Sequence, residues 1–232
     1  MAKQQLVDRL GRPYTPMMDP ALRRGQRPPN YGRRFPAEVL SSEEVGRLIA
    51  ACPRRGPSGL RDRALIVVMW RAGLRIAEAL ALELRDVDLQ AGTLTVRHGK
   101  GNRRRVVGLD PTGQAVLERW LEARARLGVP RGAPVFCTVS KPAPGRPYQS
   151  PQARIMLKRR AHRAGIDKRV HPHGLRHTFA VELLREGLDV KMIQLQLGHN
   201  DLRTTDRYLS HLMPLELVEA MRRRGWPEQV AA

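Results

Sequence analysis

With 232 residues, the chain can bury one sizeable core, or a main domain with an appendage. Its 42 basic residues against 22 acidic ones leave a net charge of +20, the electrostatic footprint of a protein that meets a polyanion. No apolar run approaches the ~18 residues of a membrane span, the polar N-terminus lacks a signal-peptide core, and two distant cysteines, Cys52 and Cys137, offer neither a disulfide framework nor metal spacing.

These features point to a soluble, cytoplasmic protein with idle or buried thiols. Only six of the basic residues are lysines (Lys3, Lys100, Lys141, Lys158, Lys168, Lys191), a skew that GC-rich codon usage also produces. Arginine enrichment alone therefore carries little weight.

Residues 1–36 hold eight basic residues against two acidic ones, with no apolar periodicity. They read as an extended basic arm, and Arg23, Arg24, Arg27, Arg33 and Arg34 are its candidate DNA contacts. Residues 37–232 read as one further unit. Compact structure is expected to begin at Leu40-Ser41-Ser42-Glu43-Glu44, where serine caps a helix and acidic residues fill its first turn. An apolar helix over 60–72, stopped by Gly73, and a short helix over 76–82 follow. Thr93 to Arg97 and Arg105 to Leu109 alternate as strands, and the glycine-bearing turn between them makes a hairpin with Lys100, Arg103 and Arg104 near its tip. Proline opens a helix over 111–127, and 129–151 is a proline-rich loop. Helices are expected over 152–164, 173–186, 190–197, 202–209 and 215–223. The fold class is mainly α with one small antiparallel β-sheet.

The chemistry concentrates in the last third. His173 and Arg176 lie three positions apart on one helix, and so share a face. A planar guanidinium grips two phosphate oxygens at once. Upstream, Arg75 follows Gly73-Leu74 among apolar neighbours and needs a partner or a ligand. Glu78, three residues on, can pair with it, either to orient it or as a simple intrahelical salt bridge. Lys100 is a lysine in a chain that otherwise uses arginine: its ammonium can give a proton to a leaving alkoxide, or it is an ordinary turn residue. His199 follows Gly198. Tyr208 is one of four tyrosines, a nucleophile if cations lower its pKa and otherwise an amphipathic helix-end residue. His171, His173 and His177 raise a zinc reading, but no His-Glu-x-x-His arrangement or nearby cysteine supports it, so no metal is expected.

Ala72-Gly-Leu-Arg75-Ile-Ala-Glu78, Gly99-Lys100-Gly101, His173-Gly-Leu-Arg176-His177 and Gly198-His199 through Tyr208 together resemble the catalytic domain of the tyrosine recombinase (phage integrase, Xer-type) family. The resemblance runs in order over roughly residues 40–212. It implies that Arg75 and Arg176 clamp a scissile phosphate and that Tyr208 attacks to form a 3′-phosphotyrosyl bond. It further implies that Lys100 protonates the departing 5′-oxygen, that His173 and His199 assist, and that Glu78 orients. Neither nucleotide nor metal cofactor is then required. Double-stranded DNA is the implied partner, with a homo-tetramer joined through the C-terminal helix. Family members typically carry a helical core-binding domain ahead of the catalytic one. About forty residues precede the first motif helix here, so an accessory protein in its place is a further expectation. The alternatives on the same fold are a DNA-binding accessory or regulatory protein and a type IB topoisomerase-like nicking enzyme.

Overall fold

The structure, a computed structural model, describes residues 38–97, 104–140 and 144–198. The expected arm, Lys100 and Arg103 at the hairpin tip, His199, Tyr208 and the helices expected over 202–209 and 215–223 lie outside the described residues.

The first helix, α1 (Ser42–Ala50), starts as its sequence requires. Ser41 Oγ accepts from Glu44 N at 3.1 Å while Glu44 Oε2 accepts from Ser41 N at 2.7 Å, so two otherwise orphaned donors are satisfied reciprocally. Its Val45 and Leu48 are buried in the core, which the next helix, α2 (Pro57–Arg71), also enters. The latter begins three residues before the expected Leu60, because Gly56 at φ 86° turns the chain and Pro57 supplies a preset first helical residue. Ala64 to Met69 are all buried, which makes α2 the central helix rather than a one-faced surface helix. A short α3 (Ile76–Leu80) follows, two residues shorter than expected because Leu82 leaves the helix and its carbonyl accepts from Val135 N at 2.7 Å.

Three short strands form an antiparallel sheet in the order β1 (Val87–Asp88), β2 (Thr93–Val96), β3 (Arg105–Gly108). The hairpin is the expected one; β1 is an additional two-residue strand beside it, too short to carry alternation. Register pairs Leu94 with Val107 and Val96 with Arg105. Opposed residues of an antiparallel pair share a face, so Arg105 stands on the same inward face as Leu94, Val96 and Val107, all buried.

Helices α4 (Pro111–Arg126), α5 (Ser150–Arg163), α6 (Pro172–Arg185) and α7 (Val190–Leu197) complete the described fold. One large apolar cluster runs from Leu40 to Leu175, with Trp120 and Phe136 fully buried in it, and Phe179, Ala180, Ile193 and Leu197 form a smaller one between α6 and α7. Polar ties set the positions of the helices. Glu182 of α6 accepts from Trp70 Nε1 of α2 at 2.8 Å and from Ser42 Oγ of α1 at 3.1 Å. Gln196 of α7 grips the Gly108 backbone of β3 from both sides, its Oε1 accepting at 3.1 Å and its Nε2 donating at 2.9 Å. The mainly helical fold with one small antiparallel sheet is therefore the expected class. Cys52 and Cys137 are free and buried, and burial raises both thiol pKa values, Cys52 to about 11. Among the described residues, no helix is long and apolar enough to cross a membrane.

Candidate active site

Three chain segments converge on one point: the turn between α2 and α3, the N-terminal half of α6, and the C-terminus of α7. Gly73 makes the convergence possible. Its φ of 64° lies in the left-handed region, and a Cβ there would meet Phe179 Cδ1 at 2.6 Å and Leu197 Cδ2 at 2.8 Å. Only glycine satisfies both the turn and the close approach of α6 and α7.

Arg176, 2% exposed, reaches into this junction from α6. Its Nη1 donates to the Gly73 carbonyl just past the end of α2, and its Nη2 donates to the Leu197 carbonyl at the end of α7 at 2.5 Å. The last carbonyls of a helix lack intrahelical partners and sit at the negative end of its dipole. Two helix ends thus hold one buried cation in place.

Glu78, on α3, is the anionic counterpart, its side chain 4% exposed. Its Oε2 accepts from the Arg75 backbone N at 2.8 Å and its Oε1 from Arg75 Nη1 at 2.7 Å. Arg105 of β3 adds two parallel hydrogen bonds, Nη1 to Oε1 at 3.0 Å and Nη2 to Oε2 at 2.8 Å. Arg176 Nη1 stands 3.8 Å from Oε2. Burial alone would raise this carboxyl's pKa, but the Arg105 hydrogen bonds, the Arg75 backbone N–H and the surrounding positive charge outweigh it and hold the pKa at about 2.

Arg75, His173 and Arg176 line a single cleft of about 920 Å³. His173 is exposed by surface area, yet the protein mass around it withholds water from the ring. That desolvation comes first, followed by the positive charges of Arg176, His171 and Arg75, in keeping its pKa below the usual 6.5. The direction does not rest on burial alone, because the neighbouring cations act the same way. The ring is therefore neutral at neutral pH and able to accept a proton. The opposite wall comes from α5 and the loop behind it: Arg154, Lys158 and His162 with Lys168 and Arg169. An apolar-floored, cation-rimmed cleft of this kind holds an oxyanion and places a neutral base beside it.

Of the sequence-predicted residues, the structure brings Arg75, Glu78, His173 and Arg176 together. Arg104 is exposed immediately before β3, away from the inward face that carries Arg105. Arg23, Arg24, Arg27, Arg33, Arg34, Lys100, Arg103, His199 and Tyr208 are not among the described residues. Among those that are, no group of three or more His, Cys, Asp or Glu side chains could hold a metal ion. Two features escaped the sequence reading. One is Arg105, whose signal was its inward place in the alternation of β3. The other is the Arg154–Lys158–His162 stripe, legible as nitrogen-bearing side chains at every fourth position of one helix.

The sequence pattern of the phage integrase family matches residues 38–213. Tyrosine recombinase XerD of Xanthomonas axonopodis pv. citri (strain 306) is 40% identical over 190 residues, covering 78% of this chain and 60% of that protein. Among solved structures, the XerA recombinase is similar with a TM-score of 0.71 and 30% identity, over 88% of this chain and 73% of that one. The XerH site-specific recombinase, solved bound to palindromic difH substrate as a post-cleavage complex, is similar with a TM-score of 0.63 and 28% identity, over 76% of this chain and 50% of that one. The chain spans about three fifths of the length of that XerD. With its motifs in order, its fold matched and the family pattern running through most of its length, the chain belongs to the phage integrase family.

Proposed function

We propose that the protein is a site-specific DNA recombinase that cleaves and rejoins duplex DNA through a 3′-phosphotyrosyl intermediate. The observation that carries this reading is the convergence of Arg75 and Arg176 on one cleft around the buried Glu78 carboxylate, with a neutral His173 beside them. The kinship with XerD and with XerH, which is solved on its difH substrate, supports it.

In this reading, Arg75 and Arg176 hold the non-bridging oxygens of the scissile phosphate and stabilise the charge that grows on them. The Tyr208 oxygen attacks phosphorus and the bond to the 5′-oxygen breaks. Lys100 protonates that leaving oxygen, and His173 takes the phenolic proton. His199 donates to a non-bridging oxygen, and Glu78 fixes Arg75. No bound cofactor is needed, because the phosphotyrosine conserves the energy of the broken bond for religation. Duplex DNA lies along the cleft, against Arg154, Lys158, Lys168 and Arg169. Residues 1–36, through Arg23, Arg24, Arg27, Arg33 and Arg34, and the hairpin residues Arg103 and Arg104 add phosphate contacts. Residues 37–232 form the catalytic domain, and its C-terminal segment joins protomers into a tetramer on DNA, with or without an accessory protein. The site of action is the nucleoid.

The test is covalent trapping. Nicked duplexes tiled across the DNA flanking the gene, incubated with the full chain in EDTA, should yield a protease-sensitive protein–DNA adduct, and Tyr208→Phe should yield none. An adduct that persists in the phenylalanine variant would overturn the assignment of the nucleophile.

A further inference from the structure

Arg105 has no role in the mechanism proposed for this cleft, yet its guanidinium makes two parallel hydrogen bonds to Glu78. The partner strand and the register put it on the core-facing side of the hairpin, where a charge is costly unless it is paired. Its pair is Glu78, through two parallel bonds of 3.0 and 2.8 Å. Its shaft passes directly over Gly198. A Cβ at that position would lie 2.6 Å from Arg105 Nε and 2.7 Å from its Cδ. The left-handed φ of 65° at Gly198 also ends α7, whose last carbonyl binds Arg176. One side chain therefore touches the orienting carboxylate of Arg75 and the glycine next to His199, and it stands on the strand that leads out of the hairpin carrying Lys100.

Charge counting shows what this contact changes. Arg75, Arg105 and Arg176 surround a single carboxylate, leaving a surplus of two positive charges. A phosphodiester enters singly charged and passes through a doubly charged pentavalent state. Without Arg105, Glu78 would face Arg75 and Arg176 alone, and a buried carboxylate held by a single close guanidinium would draw that guanidinium away from any competing anion.

We propose that Arg105 is a positioning residue that satisfies Glu78, so that Arg75 and Arg176 keep their charge for the scissile phosphate. The proposal rests on the recombinase reading and extends it to a residue that does not touch DNA phosphate.

The experiment is single-turnover cleavage of a nicked duplex at saturating full-length protein, with DNA affinity and thermal melting measured in parallel. Arg105→Gln should slow adduct formation about 100-fold, the low end of the cost of removing an electrostatic donor from an active site, with DNA affinity within about threefold because the residue is internal. Two readouts separate this role from bracing of the fold. A methylphosphonate at the scissile position carries one less charge into the transition state, so the Arg105→Gln defect on it should shrink to about tenfold or less. The double variant Glu78→Gln/Arg105→Gln should cleave faster than Arg105→Gln alone, because the carboxylate that competes for Arg75 is gone. Arg105→Lys, which keeps the charge and covers the case where glutamine impairs folding, should stay within about tenfold of wild type. A defect equal on phosphate and methylphosphonate, unrelieved in the double variant, would overturn the proposal, as would wild-type rates in Arg105→Gln. If the wild-type chain forms no adduct on any nicked duplex, the recombinase reading falls and takes this proposal with it. An active wild type with an unimpaired Arg105→Gln removes this proposal alone.

Discussion

Among the described residues, three carboxylates are buried beside arginines, Asp62, Glu78 and Asp86, and the first two differ in what their arginines face. Asp62 of α2, 2% exposed, accepts from Arg61 Nη2 at 2.8 Å and from Arg160 Nη2 of α5 at 2.8 Å. Arg61 is in turn occupied by the Cys137 carbonyl at 3.3 Å and by the face of Tyr148 at 3.8 Å. No side chain among the three ions is more than 13% exposed, so the cluster is a brace that fixes α5 and the 137–148 loop to the central helix. Glu78 is as deeply buried, but its partner Arg75 is 28% exposed and lines the cleft. The cations of the first cluster face protein, and the second leaves Arg75 facing the cleft. Burial of an ion pair is therefore no guide to its role; what matters is which donors face open space.

The largest expected effect is at the cleft side of this comparison. Arg176→Lys should lower single-turnover cleavage about 1,000-fold, the upper range for an electrostatic donor, because one ammonium cannot serve the Gly73 and Leu197 carbonyls and a phosphate together. Retained cleavage in that variant would place Arg176 with the braces. The converse test is Asp62→Ala. Leaving Arg61 and Arg160 without their carboxylate should cost about 3–5 kcal/mol of stability in chemical denaturation, with cleavage at a temperature where the variant stays folded within about threefold of wild type. If Asp62→Ala abolishes cleavage while keeping its stability, the two clusters are not functionally distinct.

The cleft side of this contrast is legible in the sequence, whereas the Asp62 brace, which joins residues 98 positions apart, is not. Arg75, Glu78, His173 and Arg176 follow from local spacing, because i to i+3 neighbours on a helix share a face whatever the tertiary context. Gly73 was read as a helix stop. Its second role, letting Phe179 and Leu197 approach, depends on helices more than a hundred residues away, and no local pattern encodes that. Arg105 falls between these cases. The alternation that defines β3 already places it inward beside Val107 and Leu109, and an inward charge demands a partner. The sequence does not say which partner that is, because Glu78 lies 27 residues away in another element. The α2 start at Pro57 was missed because Pro and Gly signal loops as readily as helix entry.

A smaller effect tests the electrostatics of Glu78 without any DNA. Its folded-state pKa lies at about 2 against an ordinary 4.5. For a depressed carboxyl, the stabilising contribution is complete above the unfolded value and is lost as pH falls toward the folded one. The span corresponds to on the order of 3 kcal/mol. Urea midpoints of the wild type should therefore drop between pH 5 and 3 more steeply than those of Glu78→Gln, which has no proton to take up at that position. Parallel slopes would show that Glu78 does not carry the charge assigned to it.

The finest effect is the influence of the cleft's cations on His173. His173 has its pKa below 6.5 because of desolvation first and then the cations Arg176, His171 and Arg75. The native state thus binds fewer protons at this site than the unfolded chain. Its contribution to stability is complete above 6.5 and erodes as pH falls toward the folded pKa. If the neutral ring accepts the Tyr208 proton, the acid limb of the cleavage rate must lie below 6.5 as well. Arg75→Gln removes one of the positive charges that hold the ring's pKa down, so the limb should move to higher pH even as the maximal rate falls. Asp62→Asn, whose charge is not among those acting on His173, should leave the limb where it was. A pH–rate profile for the three proteins, with the His173 Cε1–H resonance titrated in parallel, reads both quantities. An acid limb at or above 6.5 in the wild type would remove His173 from the proton path. A limb that shifts equally in Arg75→Gln and Asp62→Asn would mean that the cleft and the brace share one field, and the distinction between them would have to be drawn from geometry alone.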